Sequence, residues 1–153
     1  MNLLGSELIR ELVSRIRSVE ADDSVKVLVF KSADPDYFIS HVDLARRAEN
    51  LEEAGKMTGE PVIGILLRYL STSRLVSIAQ IEDRVRGVDS EVALACDMRF
   101  AARESAVFGQ FEAALGVIPG AGAVQHLTRP MGRGRALEVM LGAEDHDADV
   151  AER

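Results

Sequence analysis

The sequence predicts an α/β fold, because amphipathic helical segments alternate along it with short, strongly apolar segments typical of strands. Two segments show this most clearly. Apolar residues recur at helical spacing between Ser6 and Glu20, whereas Val25–Lys31 is a nearly continuous apolar run rich in β-branched residues. With 153 residues, the chain is long enough for one domain with its own core.

The first half of the chain begins with that amphipathic helix, and Ser6 is its expected N-cap. Val25–Lys31 is expected to be a buried strand, since nearly every residue in it is apolar. Ser32–Tyr37, which contains a proline, is expected to be a loop, and Asp43–Ala54 a charged helix. Pro61–Leu70 predicts a further helix, because proline suits the first helical turn.

The second half continues the alternation. Leu75–Ile81 predicts another buried strand, and Ser90–Cys96 predicts a short helix that is buried on all sides. The remaining predicted elements are strands at Met98–Ala102 and Ala106–Phe108, a turn at Gly116–Gly122, helices at Ala123–Leu127 and Arg135–Leu141, and a solvated helix start at Glu144–Asp149.

Composition restricts the classes of partner. The formal net charge is −7 and the isoelectric point about 5.0, which argues against a nucleic-acid-binding protein because such a protein needs a basic face. Cys96 is the single cysteine, so an internal disulfide is impossible and a reducing cytoplasm is the expected location. The three histidines show no metal-ligand spacing. No signal peptide or membrane-length apolar run is visible, so no membrane partner is expected.

The most informative segment is SEVALACDMRFAARESAVFGQFEAALGVIPGAGAVQHLTR, which resembles the central signature of the crotonase superfamily, the enoyl-coenzyme A hydratases and isomerases. In that family a short helix ending in "ACD" precedes a strand and then "FG.PE..LG..PG.GG.Q.L". The positions that match without gaps are Ala95-Cys96-Asp97, Phe108-Gly109-Gln110, Glu112, Leu115-Gly116 and Pro119-Gly120-Ala121-Gly122. Matches at so many fixed positions identify the segment as a crotonase signature.

Weaker similarity extends the resemblance over nearly the whole chain. Asn2–Ile16 resembles the first helix of the family, Phe38–Leu44 lies where the family has "FSAGADL", and Ala136–Arg153 resembles the helices after the signature. The resemblance implies the crotonase fold, a spiral of β-β-α units, formed by residues 1–153 as a single core domain. It also implies that the family's usual N-terminal hairpin and C-terminal helices are not included, and that copies assemble as trimers or hexamers.

The resemblance implies a catalytic pair at Glu91 and Glu112, which match the two acid/base glutamates of the family. In hydratases of the family the two glutamates hold one water molecule between them. One glutamate activates this water for attack at the β-carbon, and the other supplies a proton to the α-carbon. The implied activity is the addition of water to a 2-enoyl-coenzyme A. Retention of both glutamates favours hydration over double-bond isomerisation. No cofactor is expected, since coenzyme A is part of the substrate.

The resemblance also implies an oxyanion hole, in which two backbone N–H groups stabilise the negative charge on the thioester oxygen. The matching donors are Val42 and Val88. The implied binding loop for coenzyme A comprises Ser40, His41, Val42 and Asp43, whose backbone contacts the adenine in the family. Arg46, followed by another arginine, carries a positive charge that suits the phosphates.

Three positions depart from the family pattern, because Val88, Asp89 and His41 replace glycines. Glycine is favoured where the backbone needs a positive φ or approaches a ligand closely. A degraded oxyanion turn is therefore one expectation, and it supports an alternative function: a non-catalytic acyl-coenzyme A-binding or scaffold protein on the same fold. Isomerisation, thioester hydrolysis and decarboxylation are the other chemistries open to the superfamily.

Structural explanations compete with the functional ones at several residues. His41 is also explained as an exposed loop histidine, and Arg46 with Arg47 as a solvated helix face. Cys96 is expected to be a small buried core residue rather than a nucleophile. Gly120–Gly122 lacks the spacing and the lysine of a nucleotide-binding loop, so a structural turn is preferred.

Overall fold

The computed structural model describes residues 3–39, 41–42 and 62–153. Its helices are α1 (Ser6–Glu20), α2 (Val62–Thr72), α3 (Val88–Ala95), α4 (Ala123–Gly142) and α5 (Ala148–Ala151), with a 3-10 helix at Glu112–Leu115. Its strands are β1 (Leu3–Leu4), β2 (Val27–Lys31), β3 (His41–Val42), β4 (Val76–Ile81), β5 (Arg84–Arg86), β6 (Met98–Ala101), β7 (Val107–Gly109) and β8 (Asp145–Asp147).

Most strand pairs in the described part of the chain are parallel, which confirms the predicted α/β class. One sheet has the order β2-β4-β6, with Phe30 opposite Ala79 and both pairs parallel. A second has the order β5-β7-β8, parallel between β5 and β7 and antiparallel between β7 and β8. A short parallel pair joins β1 to β3. Parallel neighbours need crossover connections, and the intervening helices supply them.

The core forms where α1 and α2 pack against each other beside the sheets. Ile9, Val13 and Ile16 are buried on one face of α1, as their helical spacing predicts. Leu66 of α2 is 0% exposed, and Val85 of β5 is also fully buried in the same cluster. No helix among the described residues is long and apolar enough to cross a membrane.

The strand at residues 27–31 is confirmed, but its predicted complete burial is wrong. Val27 and Val29 are 47% and 51% exposed, while Leu28 and Phe30 face the core. Side chains of a strand alternate between the two faces of a sheet, so a continuous apolar run does not by itself show that both faces are covered. The described residues cover one face of β2 only.

The expected N-cap of α1 is also wrong. Gly5 occupies the cap position with an extended backbone (φ −112°, ψ 177°), and Ser6 is the first helical residue and is buried. The acidic segment near the C-terminus starts as a strand, β8, rather than as a helix. Asp147 at its end then caps α5, because its Oδ1 accepts a hydrogen bond of 2.8 Å from the backbone N–H of Val150.

The C-terminal helical segment follows the prediction of two separate pieces. The backbone is non-helical at Gly132 (φ 75°, ψ 166°), two residues after Pro130, so α4 breaks between the two predicted helices. The turn predicted at residues 116–122 is confirmed, with positive φ at Gly116 and Gly122. The predicted charged helix at Asp43–Ala54 lies outside the described residues.

A side-chain staple holds the end of α3 against β4. Ser77 is 1% exposed, and both its backbone N–H and its hydroxyl donate to Asp97 Oδ2 at 2.7 Å. The backbone N–H of Asp97 donates in return to the Ser77 hydroxyl at 2.9 Å. These bonds favour the ionised carboxylate and lower the pKa of Asp97. The staple fixes where the chain leaves α3 and enters β6.

Replacing Asp97 with alanine is expected to lower the free energy of unfolding by about 1–2 kcal/mol, because two charge-assisted hydrogen bonds are lost from Ser77. Urea denaturation at neutral pH measures the change. Glu104→Ala is the control, since this exposed side chain is expected to matter by less than about 0.5 kcal/mol. Equal stability of Asp97→Ala and the wild type would contradict the staple.

Candidate active site

The candidate site is built around the turn at Gly87, which ends β5 and starts α3. Gly87 has a positive φ of 59°, and a Cβ there would lie 2.7 Å from Phe111 Cε1 and 2.9 Å from Glu112 Oε1. A larger residue there would strain the backbone and would displace the side chains of Phe111 and Glu112. The turn therefore brings the segment containing Glu112 directly against the start of α3, which carries Glu91.

Glu91 is a buried carboxyl held by backbone N–H groups. It is 2% exposed, and its Oε1 accepts hydrogen bonds from Ala121 (2.8 Å) and Ala123 (2.9 Å) at the start of α4. Helix starts offer unpaired N–H groups and a positive dipole end, which suit a carboxylate. Burial nevertheless dominates and raises the pKa of Glu91, while those N–H groups offset part of the shift.

Glu112 is the less buried member of the pair. It begins the 3-10 helix, and Gln110 Nε2 donates to its Oε2 at 3.1 Å. Partial burial raises the pKa of Glu112, and its own backbone N–H and Gln110 reduce the shift. The charge of Glu112 further raises the pKa of Glu91. The structure thus brings the two predicted glutamates close enough for the charge of Glu112 to influence the ionisation of Glu91, and their catalytic role stays a prediction.

Asp89 is a third carboxyl at the start of α3. It is 0% exposed, and within the described chain neither of its carboxyl oxygens has a hydrogen-bond partner. Burial raises the pKa of Asp89 to about 8. The nearby backbone N–H groups of Arg86 and Asp89 offset part of this rise in pKa, although neither has the geometry of a hydrogen bond to the carboxyl group. The charge of Glu112 raises the pKa of Asp89 further. Asp89 is therefore a neutral acid at neutral pH.

The two predicted oxyanion donors lie on neighbouring elements. Val42 is in β3, which pairs with β1 and contacts α3, and Val88 is the first residue of α3. An N–H at that position has no acceptor within its own helix. The strain expected from replacing glycine with Val88 is not found, because the positive φ falls on Gly87. Among the described residues, Ala143 alone has a positive φ without being glycine.

The predicted coenzyme A loop is described only in part. His41 is exposed, and its Nδ1 lies 2.8 Å from the carbonyl oxygen of Val42, which makes Nδ1 the protonated nitrogen. Ser40, Asp43 and Arg46 lie outside the described residues. Coenzyme A binding by this loop stays a prediction.

Cys96 is the buried core residue that the sequence predicts. It is 3% exposed, and burial raises the pKa of its thiol to about 12, so the reactive thiolate is not formed at neutral pH. Gln110 is a site residue that the sequence interpretation missed. It is 1% exposed and its amide holds Glu112, but only its place within the FGQ motif hinted at a role.

The Asp89→Asn variant is expected to flatten the pH dependence of stability. Between pH about 4 and about 8 the folded protein keeps the Asp89 proton while the unfolded chain, with a pKa near 3.8, releases it. Stability therefore falls as pH rises through this window, by at most about 1.4 kcal/mol per pH unit from this one group. Urea denaturation at pH 5 and pH 7.5 measures the difference between wild type and variant.

Asp23→Asn is the control for this prediction, because the Asp23 side chain is fully exposed, with a relative exposure of 102%. It is expected to leave the pH dependence as in the wild type. An Asp89→Asn variant whose stability changes with pH as steeply as that of the wild type would show that Asp89 ionises normally.

The sequence of the chain is similar to that of one family of known proteins. A family model described as enoyl-CoA hydratase/isomerase matches residues 1–153. The short-chain-enoyl-CoA hydratase of Clostridium acetobutylicum is 30% identical over 154 residues, which cover 100% of this chain and 58% of that protein. The methylglutaconyl-CoA hydratase of Homo sapiens, a mitochondrial protein, is 32% identical over 151 residues, or 98% of this chain and 44% of that protein.

A solved structure shows the same architecture. A Streptomyces avermitilis protein provisionally named an enoyl-CoA hydratase is 49% identical, with a TM-score of 0.91, and the match covers 100% of this chain and 56% of that one. The chain spans about half the length of the curated relatives it matches. By its sequence match over residues 1–153 and by this structural likeness, the chain belongs to the enoyl-CoA hydratase/isomerase family and has the crotonase fold.

Proposed function

We propose that the chain catalyses the addition of water to the double bond of a 2-enoyl-coenzyme A thioester. The observation that carries this proposal is the pairing of Glu91 and Glu112 beside the Gly87 turn, both with a raised pKa. A raised carboxyl pKa suits proton transfer near neutral pH, because each group can hold or release a proton during one turnover.

In the proposed reaction one carboxylate of the pair removes a proton from water while the water oxygen bonds to the β-carbon. The electrons of the double bond move toward the thioester, and negative charge collects on its oxygen. The N–H groups of Val42 and Val88 are the proposed donors to that oxygen. The other carboxyl delivers its proton to the α-carbon, which completes the addition of one water molecule.

The fixed position of Glu91 supports a mechanism in which two carboxyl groups transfer protons in turn. Two backbone N–H groups hold its Oε1, so the carboxyl does not swing away when the charge of the neighbouring group changes. Glu112 is more exposed and is held by one amide, that of Gln110. Coenzyme A is proposed to lie along Ser40, His41, Val42 and Asp43, with Arg46 at its phosphates.

Purified protein is expected to hydrate crotonyl-coenzyme A, seen as loss of the enoyl absorbance. Glu112→Gln and Glu91→Gln are each expected to lower kcat by about 10²–10⁴-fold, because each removes a proton-transfer group without changing the size of the side chain. Glu104→Gln, on an exposed residue far from the Gly87 turn in sequence, is expected to keep full activity. A wild type without turnover at high enzyme concentration would contradict the proposed activity.

A second candidate is a protein that binds acyl-coenzyme A without turning it over. Asp89 favours it, because a buried carboxyl to which no described residue offers a hydrogen bond stands where the family has glycine, next to the proposed oxyanion donor Val88. Above a pH of about 8, where Asp89 ionises, its charge would oppose negative charge on a thioester oxygen. This candidate and the hydratase share the ligand and differ only in the chemical step.

Calorimetry with a coenzyme A thioester separates the two candidates. Micromolar binding without turnover is expected of the binding protein, and the double change Val88→Gly with Asp89→Gly is then expected to restore activity by removing the Asp89 carboxyl and returning the family's glycines to this turn. Turnover that is equal in the wild type and this double variant would instead show that the turn is not defective. Assembly as trimers or hexamers and a cytoplasmic location remain predictions from the sequence.

A further inference from the structure

Arg86, the last residue of β5, forms an ion pair across the second sheet. Its Nε lies 2.9 Å from Asp145 Oδ1 on β8. The Nε atom is shielded from water, and its N–H does not point at a hydrogen-bond acceptor in the described chain, so the contact is one of charge. Asp145 is paired with Gly109 on β7, where a Cβ would lie 2.9 Å from the same Oδ1. The absence of a side chain at Gly109 therefore leaves space for the ion pair to cross β7.

The guanidinium of Arg86 also lies over the ring of Phe111. Its Cζ is 5.6 Å from the ring centroid, within the range of cation–π attraction. The same ring also packs against Gly87, which leaves room for Phe111 Cε1 because glycine has no Cβ. The ring thus contacts both the guanidinium and the turn that starts α3.

Phe111 directly precedes Glu112, and both side chains reach the Gly87 turn. Glu112 Oε1 lies against the same missing Cβ of Gly87 as the ring does, and Gln110 holds Oε2. Burial raises the pKa of Glu112 and hydrogen bonds offset part of the shift, whereas the charge of Arg86 does not contribute, so an effect of Arg86 on Glu112 would have to pass through this packing.

We propose that Arg86, oriented by Asp145, is a positioning residue that clamps the Phe111 ring against the Gly87 turn and thereby fixes Glu112 for proton transfer. The effect of this clamp on catalysis rests on the proposed function. Its structural part, the placement and partial burial of Glu112, is independent of any reaction. Without the clamp the Phe111 ring is free to leave the turn, and the half-buried Glu112 carboxyl becomes more exposed to water.

Titration of the Glu112 carboxyl by ¹³C NMR tests the structural part without substrate, and the signal of Glu112 is identified by its absence in Glu112→Gln. Arg86→Met keeps the length of the side chain and removes its charge. Loss of a positive charge alone would raise the pKa of Glu112, whereas release of the clamp lowers it toward its ordinary value because the carboxyl becomes hydrated. A lower pKa in Arg86→Met is expected, and an unchanged or higher pKa would overturn the proposal.

Kinetics test the catalytic consequence. Arg86→Met is expected to lower kcat for crotonyl-coenzyme A by about 10–100-fold, since a small displacement of a catalytic group slows proton transfer strongly. KM is expected to stay within about 2-fold, because Arg86 is not placed at the ligand. Asp145→Asn is expected to act in the same direction to a smaller extent, since it leaves the guanidinium on Phe111 but unoriented.

Arg103→Met is the matched control, because Arg103 Nε forms the same type of ion pair with Asp149 Oδ1 at 2.8 Å. It is expected to change neither kcat nor the pKa of Glu112. A fall in kcat shared by Arg103→Met would mean a general loss of stability and would overturn the clamp. A wild type without turnover would refute the proposed function, while the NMR titration would still decide whether Arg86 positions Glu112.

Discussion

The carboxylate of Glu91 joins the start of α3 to the start of α4 by bonding to Ala121, 30 residues further along the chain, and the rest of the site depends on this contact. Its Oε1 takes the N–H groups of Ala121 and Ala123, which would otherwise be unpaired donors at the start of α4. A buried carboxylate without such donors would be strongly destabilising. The same contact therefore provides an acceptor for the N–H groups at the helix start, stabilises the buried carboxylate and fixes the carboxyl group that is proposed to transfer a proton.

Three acids gather at the start of α3, and the fold compensates each of them differently. Glu91 receives backbone N–H groups, Glu112 keeps partial contact with water and one amide from Gln110, and Asp89 keeps its proton. These solutions are interdependent, because the charge of Glu112 raises the pKa of both neighbours. Mutual repulsion of this kind is how a group of carboxyls comes to hold protons near neutral pH. The proposed clamp by Arg86 adds a mechanical constraint to that electrostatic one.

The longer elements of the fold were predictable because their residues carry a local pattern. The helical spacing in Ser6–Glu20 and the apolar runs at Val27–Lys31 and Val76–Ile81 led to the correct element types. The strand at Val107–Gly109 was predicted, but other short strands such as Leu3–Leu4 and Asp145–Asp147 were missed, because two or three residues hold no periodicity. Their strand conformation comes from pairing with distant segments. The exposure of one face of β2 was missed for the same reason, since whether a face is buried depends on which other elements pack against it.

For the site, the sequence by itself determined the family and the identity of the two glutamates, because the motif fixes residue types at fixed spacing. It did not determine that Gly87 carries the positive φ expected of Val88, that Asp89 is buried as a third acid, or that Arg86 reaches Phe111. Those features arise from close approaches between segments far apart in the chain. Burial and pKa depend on what surrounds a group in space, so only the tertiary structure decided them.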